Sequence, residues 1–599
     1  MTLSVSQKLI SELRKNGIEQ VFFVAGGNAM YLNEAIRESD MVAVPVHHEQ
    51  SAAIAAEAYS RVSAPKVGMC LVTSGPGVTN LVTGLAGAYL DSTPMVAIIG
   101  QAKSELESNQ RTNFLRQRGL FEVDNEAILK PVIKKFFRCT SSTNIESLAV
   151  EALEIARGDR PGPVVIQVAL GEQSAAAAAS GTVKNFIQKT SKLRISEIKK
   201  ISKAIESSRF EKPLILLGHG VLAAGNSKHL RALAERFQIP VVSTQLAKAA
   251  IHFNHPLFIG HPGPRGDRAA NFAVQNADLL ICVGTSLSTQ TIGYEVELFS
   301  PGSVKVIQDL GRGVSEKNLK ISKSFYVDLD VRNFLNELSE CWPGSSGSID
   351  TESWIGQLHS RKLSFSVSKE PHKKSPDGHN MYHFVDELSE ALMTFDGKAH
   401  IVTDAGLAFY IMGQAFKLAE NHTYTVSGGL GSMGFALPAL VGLSTVSSDA
   451  LCVAVSGDGS TQMNVQEFAT LGALGAKAIY FLINNDGYAS IRNTQDSFFD
   501  GRIGSSVSTG VTMPSWRGVA ESYGINYRKI AASDNLRSSI HECLFAEKPM
   551  LVEVICQSKQ VVIPSVPNYV DSSGALRSSS LDQMAPSQVE RETQALSFN

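Results

Sequence analysis

Short apolar runs that stop at a glycine-rich turn recur along this chain, and they constrain its fold more than any other feature. Examples are "VFFVAGG", "VGMCLVTSGPG", "PLILLGHG", "DLLICVGTS" and "LCVAVSGDG". Each run has the length of a buried strand, and helical patterns separate the runs. That alternation argues parallel sheets with crossover helices. At roughly 150 residues per domain, a chain of this length has room for three or four domains. The expected fold class is therefore α/β, with three consecutive doubly wound parallel-sheet domains. The first spans 1–172, and "EQSAAAAASGTV" (172–183) starts a linker. The second spans 190–342 and ends at "PGSSGSIDTES" (343–353). The third spans 376–565. Residues 566–599, rich in Ser, Pro and Gln, read as a tail lying over the surface.

Composition narrows the partners. A net charge of −2, with 19% charged residues, gives no electrostatic footprint for nucleic acid or a membrane surface. The 7 cysteines are scattered and form no CxxC pair, so neither a zinc site nor a disulfide framework is indicated. Reduced thiols fit a cytoplasmic protein. The N-terminus reads as an amphipathic helix carrying Val5, Leu9, Ile10 and Leu13, not as a secretory signal.

The strongest chemical signal is "LCVAVSGDGSTQMNVQEFATLGALGAKAIYFLINNDGY". It reads as strand, turn, helix, strand, turn. Asp458 ends the first strand and Asn485 ends the next. In a βαβ unit these ends lie side by side, at the edge where open α/β sheets bind ligands. A hard divalent cation such as Mg²⁺ wants oxygen ligands and shares itself with phosphate oxygens. Asp458, the Asn485 amide and the Gly487 carbonyl can supply three. Gly457 and Gly459 allow backbone to approach a diphosphate, with Ser460 at the start of the following helix. A lone GDG is usually a turn and a lone NN a loop. Their pairing across strand–helix–strand carries the inference.

That pairing resembles the signature of the thiamine-diphosphate (ThDP) enzymes, in which Tyr488 also falls at the cofactor. A second segment, "VPVHHEQSAAIAAEAYSR" (44–61), places Glu49 at the start of an Ala-rich helix. An acid there is ordinarily a cap or a dipole partner. With "TSGPGVTNLVTGLAGAYLDSTPMVAIIGQ" (73–101), however, it resembles the pyrimidine-binding domain of the acetolactate synthase branch. The resemblance implies a pyrimidine-binding first domain, a central domain, and a third domain for diphosphate and metal. It implies that Glu49 hydrogen-bonds the pyrimidine and, through that ring, promotes loss of the thiazolium C2 proton. It also implies active sites between subunits of a homodimer or homotetramer, with Glu49 of one chain meeting Asp458 of another. "SGGLGSMGFALPALVG" (427–442) resembles the segment under the pyrimidine, with the Gly431 carbonyl on the ring amine and Met433 nearby. "TDAGLAFYIMGQ" (403–414) resembles a diphosphate-contacting segment, with Gly406 at its turn and Tyr410 at the bulky position that bends the cofactor.

Departures from acetolactate synthase bear on the acceptor. Phe121 stands where that family carries a glutamine facing the reaction centre. Ser286 and Gln290 stand where it carries two arginines, one contacting FAD and one holding the second oxo acid's carboxylate. Thr494 stands for a pocket tryptophan. Arg492, beside it, is a candidate grip for a substrate phosphate or carboxylate. These differences, with "VFFVAGGNAMYLNEAI" and "DSSGALRSSSLDQMAP", resemble the acetyl-transferring carboligases of nucleotide-sugar and surface-polysaccharide pathways. The expected activity is decarboxylation of a 2-oxo acid such as pyruvate, with the two-carbon unit passed to a carbonyl acceptor, a nucleotide-linked keto sugar being preferred. Acetolactate synthase is the first alternative and a pyruvate-oxidase-type flavoenzyme the second. "LLGHGVLAAGN" and "IGHPGPRGDRAANF" resemble FAD-holding loops, so FAD is a possible cofactor, though not the favoured one without the arginines. A non-catalytic binding subunit is disfavoured because Glu49, Asp458 and Asn485 are all present.

Overall fold

The computed structural model describes residues 2–103, 116–179, 181–182, 199, 202–203, 205, 210–311, 321–342 and 351–587. The apolar runs become strands. In the first domain these are β1 (Gln20–Phe23), β2 (Val42–Pro45), β3 (Gly68–Val72), β4 (Met95–Gln101), β5 (Lys135–Cys139) and β6 (Pro163–Ala169). Their order is β2-β1-β3-β4-β6-β5, all parallel. The central domain holds β7 (Pro213–Leu217), β8 (Val241–Ser243), β9 (Phe258–Gly260), β10 (Leu279–Val283), β11 (Val304–Asp309) and β12 (Ser324–Asp328). It is ordered β12-β11-β10-β7-β8-β9, again parallel. The third holds β13 (Ala399–Thr403), β14 (Thr423–Val426), β15 (Leu451–Gly457), β16 (Ala478–Asn484), β17 (Asn526–Ile530) and β18 (Met550–Ile555). Its order, β14-β13-β15-β16-β18-β17, is the first domain's order over again.

Continuous Val/Ile/Leu runs suit strands covered by helices on both faces. β3, β4 and β6 are buried along their whole length. The first and third domains share one core. The helix Glu49–Val62 lies on the helix Ala436–Ser444 so closely that a Cβ on Gly442 would fall 2.2 Å from the Ala55 carbonyl oxygen. Beside that contact Arg61 pairs with Glu57 and Asp91, and Asp91 accepts the Gly428 and Gly429 amides. An Ala-rich helix is what allows such close approach.

The N-terminal helix forms over Val5–Lys15, with a Ser4–Gln7 capping box and Val5, Leu9, Ile10 and Leu13 buried. The stretch from 172 does not begin as a free linker. Leu170–Gln173 is a short helix, and the Ala175 and Ala177 backbones bond Val5 and Leu3. The C-terminal segment is described up to residue 587. Its hairpin pairs Asn568–Val570 with Leu576–Ser578, while Val566, Leu581 and Met584 pack on the central domain. Arg268 donates to the Met584 and Pro586 carbonyls. Among the described residues no helix is long and apolar enough to cross a membrane, and all seven cysteines are unpaired.

Candidate cofactor and active site

β15 and β16 run in parallel register, with Gly457 opposite Ile483, so their C-terminal turns lie side by side. Asp458 is fully buried in this corner. Its Oδ1 accepts the Gly459 amide at 2.8 Å, and its Oδ2 accepts the Gly487 and Asn485 amides at 2.9 and 3.3 Å. Burial pushes the carboxyl up to about 6, and the three amide donors pull the other way. Asn485 is buried too, and its Oδ1 has no hydrogen-bond partner. A buried amide oxygen left unpaired costs free energy unless something else satisfies it. A divalent cation would do so: an anionic carboxylate and a bare carbonyl-type oxygen are the donors a hard ion takes. The turn continues through Gly487 at φ +98, a conformation favouring glycine.

Around this corner three glycines keep space open. A Cβ on Gly406, Gly431 or Gly457 would meet nothing within 4 Å. Gly406 (φ +74) starts the helix Leu407–Ala415, and Gly431 (φ +65) lies in the turn that also carries the half-buried Met433. Gly459 has a different reason from the one its sequence suggests. A Cβ there would sit 2.3 Å from the Tyr488 ring, so this glycine makes room for the aromatic. Ser460, next to it, is buried.

Sequence reasoning missed the residue that ties these turns together. Asp404 ends β13 as Asp458 ends β15. Its buried carboxylate accepts the Ala405, Gly434 and Ala436 amides and the Ser456 hydroxyl, at 2.8 to 3.1 Å. One side chain thus clamps the Gly406, Gly431 and Gly457 turns. The signal was available: an acid directly after an apolar run and before a glycine, as in "SGDG".

The central domain braces the same elements. Gln245 donates to the Phe409 carbonyl at 2.5 Å, and its amide fills the space a Cβ on Gly413 would need. Buried Lys248 donates to the Met412 and Phe416 carbonyls, capping the C-terminus of the Leu407–Ala415 helix. Burial lowers its ammonium to about 7. Tyr410, on that helix, lies 3.8 Å beneath the Arg265 guanidinium.

At the first domain's edge Glu49 opens its helix, with His48 as N-cap. Its Oε2 accepts from Asn80 at 2.9 Å, and its Oε1 lies near Gly77. Glu49 is half-buried. Phe121 (φ +65) lies against Gly75, at the start of the same helix that carries Gly77 and Asn80, so Glu49 and Phe121 share one edge. Within one chain Glu49 and Asp458 share no hydrogen-bond partner among the described residues.

Two expectations for the acceptor change. Arg492 is not at the disposal of a substrate. It is 2% exposed, and its guanidinium donates to the Asn485, Asp486, Ser505 and Ser558 carbonyls. Those bonds occupy the charge and hold the 485–487 turn. Thr494 is exposed, and its hydroxyl donates to the Ser490 carbonyl within the helix Ala489–Phe498. Ser286 and Gln290 are exposed as well. The glycines of the central-domain loop have a packing reason: a Cβ on Gly218 would fall 2.3 Å from the Gly284 carbonyl oxygen.

Comparison with known proteins matches these parts in order. The thiamine pyrophosphate enzyme N-terminal TPP-binding domain matches residues 3–128, the central domain 198–338, and the C-terminal TPP-binding domain 404–554. The probable acetolactate synthase large subunit of Methanocaldococcus jannaschii is 30% identical over 573 residues, covering 94% of this chain and 93% of the relative. The chain belongs to the thiamine-diphosphate enzymes. Within them it falls in the acetolactate-synthase-like branch. The acetolactate synthase large subunits of Lactococcus lactis and Haemophilus influenzae are each 28% identical, covering 94% and 99% of both chains respectively. The matched C-terminal TPP-binding domain contains the buried Asp458 corner. The preference for a nucleotide-sugar acceptor gains no support from these relatives, and the acetolactate synthase alternative is the better supported.

Proposed function

We propose that this enzyme decarboxylates pyruvate and joins the two-carbon unit to a second 2-oxo acid, as an acetolactate synthase does. The observation that carries the ThDP chemistry is the unpaired Asn485 Oδ1 beside the buried Asp458 carboxylate. Asp458, Asn485 and the Gly487 carbonyl would hold Mg²⁺, and Gly406, Gly457 and Ser460 would border the diphosphate. Bound ThDP supplies a nucleophilic carbon and an acceptor for the electron pair that decarboxylation leaves. Glu49 would hold a proton at the pyrimidine nitrogen, with Asn80 fixing its orientation. Gly431 and Met433 would border the same ring, Tyr488, packed against Gly459, would contact the cofactor, and Phe121 would shape the substrate face.

Chain-wide similarity to acetolactate synthase large subunits supports the choice of acceptor. Since Glu49 and Asp458 share no partner within one chain, the reading includes a homodimer or homotetramer with shared sites, in the cytoplasm. Product analysis by mass spectrometry tests it. Pyruvate alone should yield acetolactate and carbon dioxide. Peroxide or free acetaldehyde as the main product, or a faster sugar adduct, would overturn it.

A further inference from the structure

We infer that Asn464 and Glu467, in the third domain, are positioning residues for Glu49: they hold the helix start that carries it and tie that start to the turns around Asp458. The inference rests on the proton-holding role of Glu49 proposed above.

Glu49 is the middle residue of His47–Ser51, the stretch that leaves β2 and opens the helix Glu49–Val62. The third domain grips both ends of this stretch. At one end Glu467, fully buried, accepts the His47 amide on Oε1 at 3.1 Å. Its Oε2 accepts the Thr470 hydroxyl at 2.7 Å. At the other end the buried Ser51 hydroxyl donates to the Oδ1 of buried Asn464 at 3.3 Å. The Glu49 carboxylate is held from a different direction, by Asn80 on the helix Pro76–Leu90 of its own domain. One domain thus sets the backbone around Glu49, and the other steadies its carboxylate.

A buried carboxylate is costly unless it is hydrogen-bonded. Glu467 commits one oxygen to each partner, and a charge-assisted bond to a backbone amide is among the stronger kinds. It therefore fixes where the chain enters the helix. Glu49 is the first residue of that helix, so a shifted entry moves its side chain directly. Asn464 adds the link to the cofactor turns. Its Nδ2 donates to the Gly434 carbonyl at 2.8 Å, while the Gly434 amide donates to Asp404 at 3.0 Å. Gly434 directly follows Met433 in the turn that also carries Gly431, and a Cβ on it would fall 2.5 Å from the Met463 Cβ. Asp458, Asn464 and Glu467 all lie in the single stretch "DGSTQMNVQE". One short segment therefore begins at the buried Asp458 corner and ends against the start of the Glu49 helix. Proton transfer needs the acid within hydrogen-bond reach of its partner atom, and a small misplacement costs rate.

The test compares variants by three measurements. Hydrogen–deuterium exchange at C2 of bound ThDP reads Glu49. Calorimetric titration with ThDP–Mg²⁺ reads the Asp458 corner. Amide exchange of residues 44–54 in the cofactor-free protein reads the helix start. Glu467→Ala should slow C2 exchange by about tenfold or more, speed amide exchange at His47, and leave ThDP affinity near wild type. Glu467→Gln keeps an oxygen that can accept the His47 amide, so it should recover most of the C2 rate. Glu467→Asp withdraws that oxygen but keeps the charge; it should slow C2 exchange less than Glu467→Ala, and it decides the matter if Glu467→Ala does not fold. Ser51→Ala removes only the Asn464 link and should slow C2 exchange as well. In a Glu49→Gln background Glu467→Ala should add no further slowing, because its effect runs through Glu49. Wild-type C2 exchange in the Glu467 variants overturns the role of Glu467, and wild-type exchange in Ser51→Ala overturns that of Asn464. Equal slowing with and without the Glu49 carboxylate overturns both as positioning residues. A Glu49→Gln enzyme that exchanges at the wild-type rate overturns the reading of Glu49 itself.

Discussion

The first and third sheets share one strand order, yet each holds its acid differently. In the third domain Asp458 follows the third strand in sequence, β15, and is fully buried under three backbone amides of its own chain. In the first domain Glu49 follows the second strand, β2, and is half-buried with one side-chain partner, Asn80. The Asp458 corner is thus finished within one chain, whereas Glu49 has a single side-chain hydrogen bond among the described residues. A preorganised corner suits an ion that demands fixed geometry. An acid that must move a proton needs freedom to share it.

The contrast predicts different failures. Asp458→Ala should weaken ThDP–Mg²⁺ binding by about a hundredfold or more, since it removes the one anionic ligand. Calorimetric titration checks this, and wild-type affinity in the variant would break the comparison. Glu49→Gln should keep ThDP affinity but slow hydrogen–deuterium exchange at its C2 by about a hundredfold or more. An exchange rate equal to wild type would sink the role of Glu49.

Arg492→Ala tests whether that side chain belongs to the fold or to the substrate. With four backbone carbonyls losing a charged donor, stability should fall by about 3 kcal/mol. The choice among acceptors should stay as it was, and a changed choice in a protein of normal stability would reinstate it as a substrate grip. Thr494→Trp should shift stability by less than about 0.5 kcal/mol, because Thr494 is exposed. A larger loss in thermal melts would mark a surface that another chain covers. Flavin stripping should have the smallest effect: turnover should persist without FAD, and activity that returns only on adding FAD would refute this.

Much of the molecule is determined by its sequence alone. Apolar runs ended by glycine give the strands, because a strand between two helical layers must be apolar on both faces. The 458–485 spacing places two oxygen donors together, because adjacent parallel strands joined by one helix end at one edge. The Ser4–Gln7 cap is equally local. Side-chain partners are another matter, since they come from segments far apart in the chain. Arg492 reads as a candidate substrate grip until Ser505 and Ser558 bring their carbonyls to it. Tyr410 reads as a cofactor contact alone until the central domain lays Arg265 across its ring. The shared strand order of the first and third sheets is likewise invisible in their residues, since topology rests on which strands pair and many sequences satisfy the same pairing. Local pattern fixes what each segment becomes, and only packing decides which distant groups meet and which polar atoms, such as Asn485 Oδ1, are left without a partner.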